Sequence, residues 1–416
     1  MTDRSGGAPR VLIIVQNLPV PFDRRVWLES LALRRRGVDV SVVCPKGAND
    51  PSRQVIEGVS IFKYRPYAPG GGAAGFVLEY AYSFVMTAWL AFQARRAGAF
   101  RVVQACNPPD IFWPLARLLR ALDGTRSVFD HHDLCPELYE SRFPEGSSLA
   151  HRGLLLLERE TLRTADLVIS TNDSYAEVAM RRGGKGSAEV TVVRTGPDDA
   201  KLSPVEPRPE LRRDRTHLVT YIGVMGPQDG VDIVLRAADH VVHMLGRTDI
   251  SFLLMGAGDS YDDLLALRDE LGLADYVEMP GRVPDQMVAE VLSTADVGLS
   301  PDPLNPLNDV STMNKTMEYM AFGLPVLAFD LRETRVSAGE CARYVTPNDV
   351  PQYAQALVDL LDDPEARSTM GTAGRARVEH TLAWRHQERA YVGVYRQLLG
   401  DWLAPAGTVV HAETSE

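Results

Sequence analysis

The 416-residue chain is poor in cysteine and carries no excess of positive charge. Its four cysteines, Cys44, Cys106, Cys135 and Cys341, have neither metal-ligand spacing nor the density of a disulfide framework, so a reducing cytoplasm is the expected compartment. The net charge of −11 excludes a general nucleic-acid binder. No signal-peptide apolar region follows the start MTDRSGGAPR, and no secretory leader is expected. A long apolar run does occur at 76–94, but Glu79, Ser83, Thr87 and Gln93 interrupt it. It is expected to be a buried helix, with membrane-surface contact as the second reading. No Asp-x-Asp stretch stands in a metal-site context, and neither metal nor cofactor is expected. Asp198-Asp199 adjoin without phosphate-binding features around them.

What is present is ordinary globular composition, with 45% hydrophobic and 24% charged residues, in a chain long enough for two domains. Charge is unevenly spread. Residues 1–210 hold 27 Lys/Arg against 24 Asp/Glu, whereas the remainder holds 17 against 31. Arg34-Arg35-Arg36, Arg95-Arg96 and Arg181-Arg182 fall in the first half. They read either as solvated helix faces or as a surface that meets an anionic partner.

Short β-branched runs alternate with amphipathic stretches, the pattern of a parallel sheet wrapped by helices. Strands are predicted at 11–16, 38–44, 101–106, 126–130, 167–171 and 189–193, with a helix at 24–37. A Pro- and charge-rich interval at 201–216 reads as a linker. Strands then recur at 217–223, 249–256, 276–281, 296–300, 325–330 and 342–346, with helices at 230–245, 260–272, 285–294, 312–322 and 350–362. Two Rossmann-like domains are therefore expected, 1–205 and 206–383, followed by a helix at 384–402 and a disordered tail at 403–416. In such sheets ligands bind at the carboxyl ends of the strands, so two domains face to face make an interdomain cleft.

The richest segment is 308–330, read as loop, short helix and buried strand. Ser311, Thr312 and Asn314 can cap the helix, whose first-turn amides then point at a phosphate, with Lys315 adding positive charge at that end. Glu318 lies one turn on, on the same face, and its carboxylate can accept two bonds from ribose hydroxyls; Thr316 is counted with the donor-binding residues. The plain alternative is a surface Glu–Lys helix pair. Gly323 permits close helix–strand passage, and Pro325 opens the strand.

Lys315-x-x-Glu318-Tyr-Met-Ala-Phe-Gly-Leu-Pro-Val resembles the donor-binding signature of the family 4 glycosyltransferases, retaining enzymes of the GT-B fold. The likeness extends over nearly the whole chain. It includes Gly223 and Val224 after the first strand of the second domain, Gly256 after the next, and Arg282-Val283 in the loop that resembles the base-contacting one. Trp384 and Tyr391–Tyr395 resemble the helices that cross back to the first domain. In the first domain Phe129-Asp130-His131-His132-Asp133 resembles the His-Asp segment beside the transferred sugar; His132 matches best, and a structural histidine is the plain alternative. Asp133 and Glu137 would position that histidine or cap the next helix, and Asn107 falls in the same group.

The resemblance implies a metal-independent, retaining transferase of bacterial polysaccharide, glycolipid or natural-product synthesis. It would move a sugar from a UDP- or GDP-sugar to a glycan, lipid or small-molecule acceptor, working in the cytoplasm or peripherally on the membrane's inner face. His132, Lys315 and Glu318 would be its catalytic groups. A GT-B-fold sugar-nucleotide epimerase and a non-catalytic nucleotide-sugar binder are the alternatives.

Three departures stand out. Val224 and Asp229 stand where the family usually has Arg and Lys aimed at the diphosphate. Val310 replaces the first acid of the Glu-x7-Glu pair, with Asp309 one position off as substitute or helix cap. The glycine-rich first loop is replaced by Asn17-Leu-Pro19-Val-Pro21-Phe-Asp23-Arg24-Arg25, whose arginines are expected either to restore the missing positive charge or to grip an acceptor phosphate.

Overall fold

The computed structural model describes residues 7–67, 73–143, 145–198 and 202–404. The chain divides into two compact units, one made of Met1–Tyr139, Glu145–Arg194 and Gln387–Glu416, the other of Glu140–Pro144 and Thr195–His386. The greater part of the predicted tail, 405–416, lies outside the described residues, as do Asp199 and Lys201.

In the first unit, β1 (Arg10–Ile14), β2 (Asp39–Pro45), β3 (Arg53–Ile56), β4 (Val59–Tyr64), β5 (Val102–Cys106), β6 (Arg126–His131), β7 (Leu167–Ser170) and β8 (Val190–Val192) form one sheet. Their order is β3-β4-β2-β1-β5-β6-β7-β8, parallel except where β3 pairs antiparallel with β4. The direction of winding reverses between β1 and β5, so loops at their carboxyl ends splay apart there and leave a crevice. All six strands expected in this half are present. The β3–β4 hairpin is additional, turned by Glu57 and Gly58 at φ 47° and 76°, the two-residue geometry that matches strand twist.

The second unit is a six-stranded sheet, every pairing parallel, from β9 (His217–Val224), β10 (Ile250–Ala257), β11 (Val277–Gly281), β12 (Val297–Ser300), β13 (Val326–Phe329) and β14 (Ala342–Val345). The order β11-β10-β9-β12-β13-β14 reverses between β9 and β12. Strand residues alternate between two cores: Val219 and Tyr221 enter one, Leu218 and Ile222 the other. Helices cover both faces, which is why the strands read as unbroken apolar runs. The interval 202–216 is docked and not a free linker: Val205 and Arg208 donate backbone N–H groups to Ser293 and Thr294, and Arg212 pairs with Asp296 at 2.5 Å.

Helix α2 (Ala73–Arg95) corrects the expectation of a buried apolar helix. Its small polar residues face inward: Ser83 and Thr87 are buried, and Gln16 donates to Glu79 and Ser83. Its large apolar residues face out, with Leu78, Val85 and Trp89 exposed by 54, 63 and 55%. Leu90, Ala91 and Ala94 supply the inward contact, in one core with Leu115 and Leu119 of the Trp113–Asp123 helix. A soluble helix normally has the reverse polarity.

Candidate functional site

The winding reversal of the first unit gathers a buried polar network. Helix α1 (Arg24–Arg34) starts where Asp23 caps it, its carboxylate accepting the Val26 N–H at 3.0 Å. One residue into the helix, Arg25 turns inward: its guanidinium donates to Asp130 Oδ1 at 2.9 Å and to the Val193 carbonyl at 2.9 Å, and lies 3.1 Å from Glu29. Gln104 donates to Glu29 at 2.7 Å and accepts from the Tyr391 and Tyr395 hydroxyls at 2.9 and 2.5 Å. Strand alternation puts these groups on one face. Asp130 points toward α1, whereas His131 points the other way, fully buried against Phe129 and Tyr175 and 3.7 Å from Glu158.

His132 lies at the rim of this network. Asn107 fixes its backbone, accepting the His132 N–H at 2.7 Å and donating to the Asp133 carbonyl at 2.6 Å. Its Nε2 is 2.6 Å from Asp130 Oδ2 and 3.0 Å from Arg25 Nε. Arg25 has only protons to offer, so Nε2 cannot both donate to Asp130 and accept from Arg25; the shorter contact to a carboxylate prevails. Asp130 therefore accepts the hydrogen bond from Nε2 and orients the ring through it. Burial pushes Asp130 up, but Arg25 and His132 outweigh it and hold the carboxyl well below its usual range. Glu29, buried and facing that carboxylate, is pushed well above its own.

Two expectations for this unit change. Arg25 is buried and committed to Asp130 and Glu29, so it does not stand in for a missing phosphate cation; Asn17, Pro21, Phe22 and Arg24 are exposed in that loop. Asp130 orients the histidine, a partner the sequence did not point to, while Glu137 pairs with Arg182. Cys106, Asp130 and His132 bring three potential metal-ligand atoms within 4.8 Å of one another. The Arg25 guanidinium already lies against the same oxygen and nitrogen, which makes the place a poor cation site.

The second unit places its predicted residues at the β9/β12 reversal. A Cβ on Gly223 would lie 2.8 Å from the Tyr221 hydroxyl and 3.4 Å from Lys315 Cε, and one on Gly256 would collide with the Gly223 carbonyl oxygen. Only glycine lets these strand ends and the lysine approach so closely. Val224, next along, is 56% exposed. The Asn314–Ala321 helix follows β12 with Met313 at the cap position and no side-chain cap bond, contrary to the capping expected of Ser311, Thr312 and Asn314. Ser311 instead donates to the Leu307 carbonyl at 2.7 Å.

Lys315 is not a free entrance charge. It is buried, 2.5 Å from Asp302 and 5.1 Å from the Tyr221 ring. Burial pulls its pKa down, but Asp302 and Asp229 outweigh that and hold it above the ordinary value. Asp229 accepts the Gly226 N–H at 2.9 Å, closing its loop, and burial lifts it to about 6 against the pull of Lys315. Thr316 reaches Ser300 at 3.3 Å, and Asn308 ties the two loops by donating to the Gln228 and Pro303 carbonyls at 2.9 Å. Glu318 sits half-buried one turn beyond Lys315. The carboxylate of Asp309 accepts the Arg332 N–H at 3.0 Å, at the start of the Arg332–Ala338 helix. Exposed Arg282 and half-buried Val283 follow β11.

Asp302, Glu29 and Gln104 escaped sequence reasoning. Asp302 had a signal, since it stands two residues past a strand's carboxyl end, where ligand-facing groups collect. Glu29 and Gln104 read as ordinary helix and strand positions.

Comparison with known proteins gives two family models, a glycosyl transferases group 1 model over residues 216–363 and a glycosyl transferase 4-like domain over residues 24–196. Among curated relatives, an MMP alpha-(1->4)-mannosyltransferase of Mycolicibacterium hassiacum is 29% identical over 40% of this chain and 41% of its own length. A D-inositol 3-phosphate glycosyltransferase of Kineococcus radiotolerans is 26% identical over 63% and 64%. The chain thus spans less than two thirds of either relative. Among solved structures, sucrose-phosphate synthase from Thermosynechococcus elongatus superposes with a TM-score of 0.74 at 19% identity, over 94% of this chain and 99% of that one, which fixes the fold as GT-B.

Proposed function

The chain belongs to the group 1 and 4-like glycosyltransferase family, and on that premise we propose that it transfers a sugar from a nucleotide-diphosphate sugar to an acceptor hydroxyl, with retention. The observation that carries this reading is the β9/β12 reversal, where a short helix without a side-chain cap, a lysine and two glycine-thinned strand ends converge. Its amides and Lys315 suit a diphosphate, and the ammonium would exchange part of its bond to Asp302 for the ligand. Glu318 would hold the ribose, Arg282 and Val283 would flank the base, and His132 would offer Nδ1 to a sugar hydroxyl. Charge neutralisation by Lys315 and the helix end would serve where other transferases use a metal. The leaving diphosphate would take the acceptor proton, leaving the protein to position and stabilise.

A thermal-shift series with UDP, GDP and their sugars tests this. A ligand at 100 times its Kd stabilises by about 2.7 kcal/mol. Absence of a response to every nucleotide, or an unchanged response in Glu318→Ala, would sink the proposal.

The outward apolar stripe of α2 supports a lipid-linked acceptor reached at a membrane surface, and the four buried free thiols suit a cytoplasmic location. Val85→Glu with Trp89→Glu should abolish co-sedimentation with phosphatidylcholine vesicles. Pelleting that is unchanged, or never seen, counts against it.

A further inference from the structure

We propose that the first unit carries a second anion site, a cavity that binds a phosphate-bearing group through unpaired arginines. The cavity, about 380 Å³, lies between the Ser148–Thr164 and Asp173–Gly183 helices and is lined by Leu155, Arg159, Arg163, Arg181, Arg182 and Gly184. The four arginines differ. Arg182 is neutralised by Glu137 and, at 2.9 Å, by Glu158. Arg159, Arg163 and Arg181 are exposed, and among the described residues none of them makes an ion pair.

Two bland accounts fall short. Cations in a helix's last turn complement its dipole, which covers Arg163 and Arg181. It does not cover Arg159, one turn earlier, whose placement four residues from Arg163 sets like charges side by side. A merely solvated face would spread its charges, whereas these converge on one concavity. Its volume falls within the ~300–1,000 Å³ range of small-molecule sites. Guanidinium forks match phosphate and carboxylate oxygens alike in pairs, and three arginines without an ion pair favour the doubly charged phosphate over a single carboxylate. Both helices end there just before β7 and β8 begin, so the cavity lies at the amino edge of the sheet, and His132 at the carboxyl edge. The site is therefore separate from the one proposed for catalysis and rests on none of its residues.

The phosphate can belong to an anionic lipid headgroup or to a soluble pyrophosphate. The full chain would be titrated calorimetrically with inorganic pyrophosphate in saturating UDP, and co-sedimented with phosphatidylcholine vesicles with and without phosphatidylglycerol. Arg163→Ala with Arg181→Ala is expected to weaken pyrophosphate affinity, or the phosphatidylglycerol-dependent increment in pelleting, by about tenfold or more. Arg152→Ala, on the same helix outside the cavity, should change neither. Loss of pyrophosphate binding supports a soluble ligand, and loss of only the vesicle increment supports a headgroup. No binding of either probe, or binding that survives the double substitution, overturns the site. The UDP thermal shift reads the other unit and should be the same in all variants.

Discussion

The two sheets reverse at their middles in the same way, and each places one buried cation there between two acids, yet the cations are held differently. Arg25 lies between Asp130 and Glu29 and cannot lose its proton; its bonds extend to β6, to Val193 just past β8, and to its own helix. Lys315 lies between Asp302 and Asp229, holds one short contact, and has a partner acid that titrates near neutrality. The first arrangement fixes the orientation of a histidine ring. Under the proposed function, the second would trade an internal carboxylate for an incoming anion. A buried Arg with bidentate partners acts as a brace, and a buried Lys with a single partner is exchangeable.

The sharpest way to break this contrast is Arg25→Ala. It strands Asp130 and Glu29 in the core, and denaturant unfolding should register a loss of about 3–5 kcal/mol. A loss below about 1 kcal/mol would mean that Arg25 is no brace. His132→Ala should lower turnover by about 100-fold while the nucleotide thermal shift is retained, since under the proposed function the histidine would serve the transferred sugar. Equal loss of nucleotide binding would contradict that division of labour.

Asp229→Asn addresses the exchangeable side. The folded pKa of Asp229 is about 6, above its ordinary 3.8, so the native state holds its proton longer than the unfolded chain. Its contribution is present in full below pH 3.8 and is lost as pH rises to about 6, with no further change above. The asparagine variant should therefore gain on wild type in Tm between pH 4 and 6 and keep a constant lead beyond, and it should bind nucleotide diphosphates more tightly at pH 8. A Tm difference independent of pH would refute the assignment. The smallest effect belongs to Tyr391→Phe. Gln104 keeps Tyr395, so chemical denaturation should show only about 0.5–1.5 kcal/mol of destabilisation.

Periodicity made the sheets legible because strands buried on both faces are continuous in composition, as in VLIIV before Gln16. The β3–β4 hairpin was not, because Glu57-Gly58 lacks the Asn-Gly or Asp-Gly signal and Lys63, buried against Asp50 at 2.5 Å, breaks the apolar alternation. Helix α2 misled for a related reason: composition records how apolar a segment is, not which side Ser83 and Thr87 take. At the sites, residue types were readable and partners were not. Lys315 and Asp302 are 13 residues apart on different elements, and Arg25 and Asp130 are 105 apart. Contacts that distant are made by topology, and local spacing carries no trace of them.

The helix Trp384–Leu399 leaves the second unit at His386 and continues in the first from Gln387. Tyr391 and Tyr395 on it supply the hydroxyls that satisfy Gln104, deep in the strand β5 made almost 300 residues earlier, at separations of 287 and 291. During synthesis, then, the unit translated first is completed last. A ribosome that has finished the whole second sheet still holds a first sheet with an unsatisfied amide in its core, and a nonsense mutation just before Tyr391 would damage the unit made long before it.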